Sequence, residues 1–258
     1  MHVIRSLCIA FSTYSRIPVP QVAWTDENRK YSMCFFPLIG AVIGLLLWGW
    51  LALCDALGFE ALLRGAVGAL LPILVTGGIH MDGFMDTSDA LASWQSPEKR
   101  LEILKDSHVG AFAVLGCAGY LLLDTALLSE LPTTLAPMMI GCFMLSRACS
   151  AWACSAWAMS AFRNARPKGM LDAFAQAAQR RMLTISCTVY AVLCAVLWAI
   201  VGGWLAIPCL LAAILCAWYY RHMSYKQFGG ITGDLAGWFL QITELTLTAV
   251  IVIGGKLL

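Results

Sequence analysis

Charge is what this sequence has least of. Lys, Arg, Asp and Glu make up 12% of its 258 residues, against about a quarter in a soluble globular domain. So few charges cannot clothe a water-facing surface. The shortage excludes an ordinary soluble enzyme, a disordered chain and a nucleic-acid binder. The eleven cysteines include no C-x-x-C pair, which removes the common zinc and redox motifs. They lie in apolar runs and read as small buried side chains. No internal repeat or low-complexity linker divides the chain, so a single domain over 1–258 is expected. The apolar piece from Leu7 to Phe11 is too short for a secretory signal core and soon meets Arg16, so no cleavable leader is expected.

Apolar residues fill the space that charge leaves. They make up 60% of the chain, with a mean hydropathy of +0.76. A bilayer core of ~30 Å needs about 20 apolar residues in helical form. Seven stretches approach that length, near 34–53, 62–79, 110–129, 135–160, 183–202, 204–220 and 235–255. They are continuous rather than alternating, which predicts helices and not a barrel. The expected fold is an all-α integral membrane protein, a polytopic bundle of about seven transmembrane helices. Most of the Lys and Arg residues fall in 1–33, 80–109, 161–182 and 221–234. Seven helices starting inside put all four segments on one face, and the positive-inside rule makes that face cytoplasmic. Arg64 and Lys256, near helix ends, are expected to snorkel. Segments 54–61 and 130–134 carry Asp55, Glu60 and Glu130 without a base, as the opposite face should.

The stretch Gly77 to Asp89 is the most unusual. Asp82, Asp86 and Asp89 are spaced i, i+4 and i+7, which places them within roughly 60° on one helical face. No basic residue lies among them. Clustered like charges destabilise an isolated helix, and a divalent cation removes that cost. Hard oxygen donors suit Mg²⁺, which is usually held by a few carboxylates together with substrate phosphates. The plainer alternative is an acidic helix start that favours the dipole. The charge shortage and the preceding apolar span favour the metal.

Two other polar patches belong to the same face. Lys105, Asp106, Ser107 and His108 precede the third apolar run. Gly229, Gly230, Thr232, Gly233 and Asp234 open the seventh, where backbone N–H groups at a helix start can meet phosphate. A capped helix with turning glycines explains the second patch equally simply. His80 and His108 are candidates for a base or ligand, although a lone loop histidine is more often neither. Within the apolar runs, Arg147, Asp124 and Glu244 need partners or water. Arg147 reads as a cavity cation for phosphate or as the partner of Glu244 or Asp124.

These residues resemble the cobalamin synthase family, the adenosylcobinamide-GDP ribazoletransferases. The likeness begins with Phe11 to Pro20, which includes Tyr14, Arg16 and Pro18. It continues through Phe36, Pro37, Gly40 and Gly44, the whole acidic stretch, and Lys105 to Ser107 with Gly110. It ends with Gly229 to Asp234 and Glu244. Ala90 stands where the family usually has Gly, and His108 where it often has Arg. The resemblance implies the joining of adenosylcobinamide-GDP to α-ribazole or its 5′-phosphate, with release of GMP, at the end of adenosylcobalamin synthesis. It implies Mg²⁺ as cofactor, the activated corrinoid and α-ribazole as substrates, and a homo-oligomer or association with other corrinoid-assembly enzymes. It also implies a bacterial inner membrane location, with the active site towards the cytoplasm.

On that resemblance Asp82, Asp86 and Asp234 hold Mg²⁺. Asp89 ligates or takes the proton of the attacking hydroxyl, with His80 the alternative base. Lys105, Arg147 and Arg166 neutralise phosphates. Gly230 and Gly233 permit close approach beside Thr232. Two other readings stay open: a CDP-alcohol-type phospholipid phosphotransferase, and a membrane transporter, which would want acids near the bilayer midplane.

Overall fold

The structure is a computed structural model and describes residues 2–153, 165, 174 and 176–257. The described residues form eleven α-helices. These are α1 (His2–Tyr14), α2 (Asp26–Arg29), α3 (Ser32–Leu57), α4 (Ala61–Thr76), α5 (Ile79–Ala92), α6 (Pro97–Ile103), α7 (Ala111–Glu130) and α8 (Met138–Ala151). After them come α9 (Arg180–Gly202), α10 (Ala206–Phe228) and α11 (Gly233–Gly255). A 3₁₀ turn, Gly203–Leu205, separates α9 from α10.

The helices pack through small residues, since lipid offers no hydrophobic drive for helices to associate. Gly40 and Gly44 of α3 lie four apart and let α8 approach closely. A Cβ on Gly40 would strike the carbonyl of Phe143, and one on Gly44 the backbone of Ile140. The paired numbers run in opposite senses, so α3 and α8 are antiparallel. Gly65 of α4 meets Thr125 of α7 in the same way, and Gly141 of α8 meets the Trp198 indole of α9. Trp198 is fully buried, and its Nε1 donates to the Met138 carbonyl at 2.8 Å. That satisfies the one polar atom of a large apolar side chain.

Contacts at the helix ends fix their directions. Gln179 N donates to the Lys30 carbonyl near the start of α3, while Gly202 at the end of α9 faces Met138 at the start of α8. Gly254 at the end of α11 touches Leu205, and Tyr220 stacks on Phe239 at 4.6 Å. The chain therefore reverses at Gly203–Leu205, and the end of α10 returns to the face where α9 began.

Among the described residues, four helical stretches are long and apolar enough to cross a membrane: Ser32–Leu57, Ala111–Glu130, Arg180–Phe228 and Gly233–Gly255. A fifth is reached if α4 and α5 count as one span bent by 100°. The chain is a polytopic helical membrane protein, and by length and apolarity its described helices give four or five candidate spans against the seven expected. The runs predicted at 183–202 and 204–220 are the two arms, α9 and α10, of the stretch Arg180–Phe228, which turns back on itself at Gly203–Leu205. The run predicted at 135–160 is represented by α8 over 14 residues, about 21 Å of helix, and much of its remainder lies outside the described residues. The run predicted at 62–79 ends early. Gly77 and Gly78 both adopt the left-handed region, with φ of 67° and 81°, and the chain turns there into α5. Glycine enters that region without the Cβ clash that other residues meet.

Candidate active site

The acidic stretch is a helix rather than a loop. The bend at Gly77–Gly78 swings α5 across the ends of α7 and α11. Arg16 supports the turn: its N donates to the Val75 carbonyl at 2.7 Å, and its side chain packs on Gly77. On α5, Asp82 is exposed, while Asp86 and Asp89 are half-buried.

α5 meets the start of α11 at Gly83. A Cβ there would lie 2.7 Å from the Asp234 carbonyl oxygen and 2.9 Å from its Cα, closer than real Cβ atoms come. Asp234 therefore sits against the helix turn that joins Asp82 to Asp86, although some 145 residues separate it from the acidic stretch. Gly237 packs one turn further along, with a Cβ position 3.0 Å from the His80 carbonyl. Thr232 caps α11. Its Oγ1 accepts from Leu235 N at 3.2 Å and lies 3.5 Å from an Asp234 carboxylate oxygen. Gly230 is buried. Gly233 is exposed, with open space where a side chain would stand.

Backbone packing at Gly83 thus brings Asp234 beside the helix that carries Asp82 and Asp86, and carboxylate oxygens are the donor type that Mg²⁺ takes. In donor type and backbone position they fit a divalent cation. Among the described residues, no group of three or more His, Cys, Asp or Glu side chains is already gathered as a metal site.

Other predicted site residues find different settings. Asp89 turns towards α7: one carboxylate oxygen accepts from Gly110 N at 2.6 Å and the other from Ala113 N at 2.8 Å. It caps the N-terminus of α7, where a carboxylate is also favoured by the dipole. His80 is buried between Tyr14 and Phe36, with ring centroids at 6.3 and 5.6 Å, and among the described residues its Nε2 has no hydrogen-bond partner. It is a packing residue here, not a base facing substrate. Arg147 is 1% exposed and bonds Glu244 Oε1 at 2.6 Å and the Phe143 carbonyl at 2.9 Å. Ser146 donates to the same Glu244 oxygen at 2.8 Å. Of the two readings of Arg147, the structure supports the internal ion pair. Lys105 is exposed in the turn before α7. Arg166 lies outside the described residues.

That turn has its own support. His108 N and Nδ1 both reach Asp106 Oδ1, at 3.0 and 2.6 Å. The two contacts hold the Asp106 carboxyl below the usual carboxylate range, the side-chain bond acting most strongly. Sequence reasoning missed Arg100. It is buried in α6, and its guanidinium reaches the side-chain oxygen of Gln227 and, at 3.5 Å, the Gln227 carbonyl at the end of α10. A basic residue on a short polar helix gives no sign of a partner 127 positions away.

Fold and site together define a polytopic membrane enzyme whose carboxylate helix lies against the Thr-Gly-Asp start of its last described helix. The model of one family, described as cobalamin-5-phosphate synthase, matches residues 6–252, and the chain belongs to that family. Among similar curated proteins is the adenosylcobinamide-GDP ribazoletransferase of Lachnoclostridium phytofermentans, 42% identical over 97% of this chain and 94% of that protein. Proteins of the same name from Desulfitobacterium hafniense and Geobacillus kaustophilus are 33% and 34% identical. They cover 94% of this chain and 94% and 93% of their own lengths. No solved structure matches.

Proposed function

We propose that this chain joins adenosylcobinamide-GDP to α-ribazole, or to its 5′-phosphate, and releases GMP. The ribose 3′-hydroxyl forms a bond to the phosphorus on the corrinoid side of the diphosphate. The bond from that phosphorus to the bridging oxygen breaks, the oxygen departs with its electron pair as part of the GMP phosphate, and the hydroxyl proton passes to base or solvent. The relatives' names support the substrates. The observation that carries the site is the contact of Gly83 with Asp234, which joins the two halves of the motif.

Asp82, Asp86 and Asp234 are the residues that would hold Mg²⁺. When bound, the metal would supply charge neutralisation at the diphosphate and at the attacking oxygen. Exposed Lys105 adds a cation for phosphate on the same face. Open space beside Gly233 lets backbone N–H groups approach an anion at the start of α11. Electrostatic stabilisation of the leaving phosphate carries much of such a reaction. We place this face towards the cytoplasm of a bacterial inner membrane, because the basic segments gather on it.

The experiment is release of GMP by purified protein, with Mg²⁺ varied. Asp82→Asn, Asp86→Asn and Asp234→Asn should each cut turnover severely while leaving the protein folded. The Asp86→Asn/Asp234→Asn double variant should be hardly worse than either single, because residues acting as one unit are non-additive. Losses that multiply would separate Asp234 from the metal. Absence of GMP release by the wild-type protein would remove the assigned reaction.

A further inference from the structure

Two part-buried contacts of charged side chains lie on either side of Lys105. Before it, Arg100 of α6 is held by Gln227, two residues ahead of the Gly229–Asp234 segment. After it, Gly110 N is held by Asp89 of the acidic helix, and Ala113 N by the same carboxylate. The fit at Gly110 admits no side chain: a Cβ would lie 2.5 Å from an Asp89 carboxylate oxygen. Between the anchors, the Asp106–His108 turn keeps residues 105–108 compact, and all four are exposed.

We infer that Asp89 and Arg100 are positioning residues that pin the segment 97–110 across both motif halves and hold Lys105 over the diphosphate site. Asp89 then acts through backbone hydrogen bonds rather than as metal ligand or base. Its two oxygens already accept from α7, and its place on the carboxylate face of α5 comes from i+7 spacing alone. Arg100 ties the same segment to the strand of chain that leads into Asp234. This assignment rests on the proposed transfer reaction for its substrate, but the brace itself is a property of the fold.

Three variants test it on the full-length protein in detergent: Gly110→Ala, Asp89→Asn and Arg100→Gln. Each should raise KM for the activated corrinoid about tenfold, the worth of one weakened hydrogen bond to a charged group, with a smaller change in kcat. The Mg²⁺ concentration giving half-maximal rate should not move. Gly110→Ala alters no ionisable group, so its match to Asp89→Asn marks a positioning role. Trypsin should also cut after Lys105 about tenfold faster in each variant, for the same lost anchor. This readout needs no activity. Faster cleavage with no GMP release even by wild type would keep the brace and reject the reaction. Unchanged cleavage and KM in Gly110→Ala and Arg100→Gln, or a raised Mg²⁺ demand in Asp89→Asn, would overturn the inference.

Discussion

Removing charge without changing shape separates the acids and bases of this chain into two kinds. For the buried pair Arg147 and Glu244, neutralising one partner leaves the other charged, dry and unpaired. Glu244→Gln should destabilise the protein by about 3–5 kcal/mol, and the double replacement Arg147→Met/Glu244→Leu by much less. Thermal unfolding in detergent reads both, and a double variant as unstable as Glu244→Gln would show that the unpaired guanidinium is not the source of the loss. Asp106 is the second kind, exposed and local. Its folded pKa is depressed by His108. The contribution of the turn is therefore present above the unfolded carboxylate value of about 4 and is lost as pH falls through the folded one. Hydrogen exchange at the His108 amide should keep its protection from neutral pH down to that range and lose it below. Asp106→Asn should lose part of this pH dependence. A protection that is flat in acid for the wild type would exclude the linkage.

At the scale of elements, the contact between α5 and α11 concentrates the function in one glycine. Gly83→Ala should press α11 away from the acidic helix, because the Asp234 backbone occupies the Cβ position. Overpacking of this kind costs about 1–3 kcal/mol, which is tolerable for folding and damaging to a site that needs both helices in register. GMP release should fall at least about tenfold, one step of 1.4 kcal/mol, while expression in the membrane persists. Wild-type turnover in Gly83→Ala would show that the approach is not required. The helical face formed by Asp82, Asp86 and Asp89 was legible in the i, i+4, i+7 spacing, and the cap of α11 in Thr232. What Asp89 does was not legible, because its partners lie 21 and 24 positions away on a different helix. Nor could hydropathy see the turn into α5: an apolar run has no direction, and only Gly77–Gly78 marks the change.

At the scale of the molecule, Arg64 shows how the side opposite the motifs is closed. It pairs with Asp55 in the α3–α4 hairpin and also bonds the Leu131 carbonyl at 2.9 Å and Thr133 at 2.6 Å, between α7 and α8. The sequence suggested a snorkelling side chain; its 9% exposure instead reflects a clamp on two connections. The motif ends gather on the other side, as the basic segments implied. Single cysteines placed at positions 99 and 226 of a cysteine-free chain should therefore label from the cytoplasm alone, and labelling of either from outside would invert the topology. Hydropathy located the runs that form α9 and α10, but not the bend between α4 and α5. Much of Arg147 was legible too, since Glu244 was one of two partners that a buried guanidinium could find.

The division of the site between α5 and α11 also sets an order of events in biosynthesis. Some 145 residues lie between Asp89 and Asp234, which is about 7 to 30 s of translation at ordinary speeds. Throughout that interval α5 has α4 and then α7 to rest on, but not the helix that completes its carboxylate set. The nascent chain therefore carries Asp82 and Asp86 at the membrane surface without Asp234, and the two motif halves meet only when α11 inserts beside Gly83.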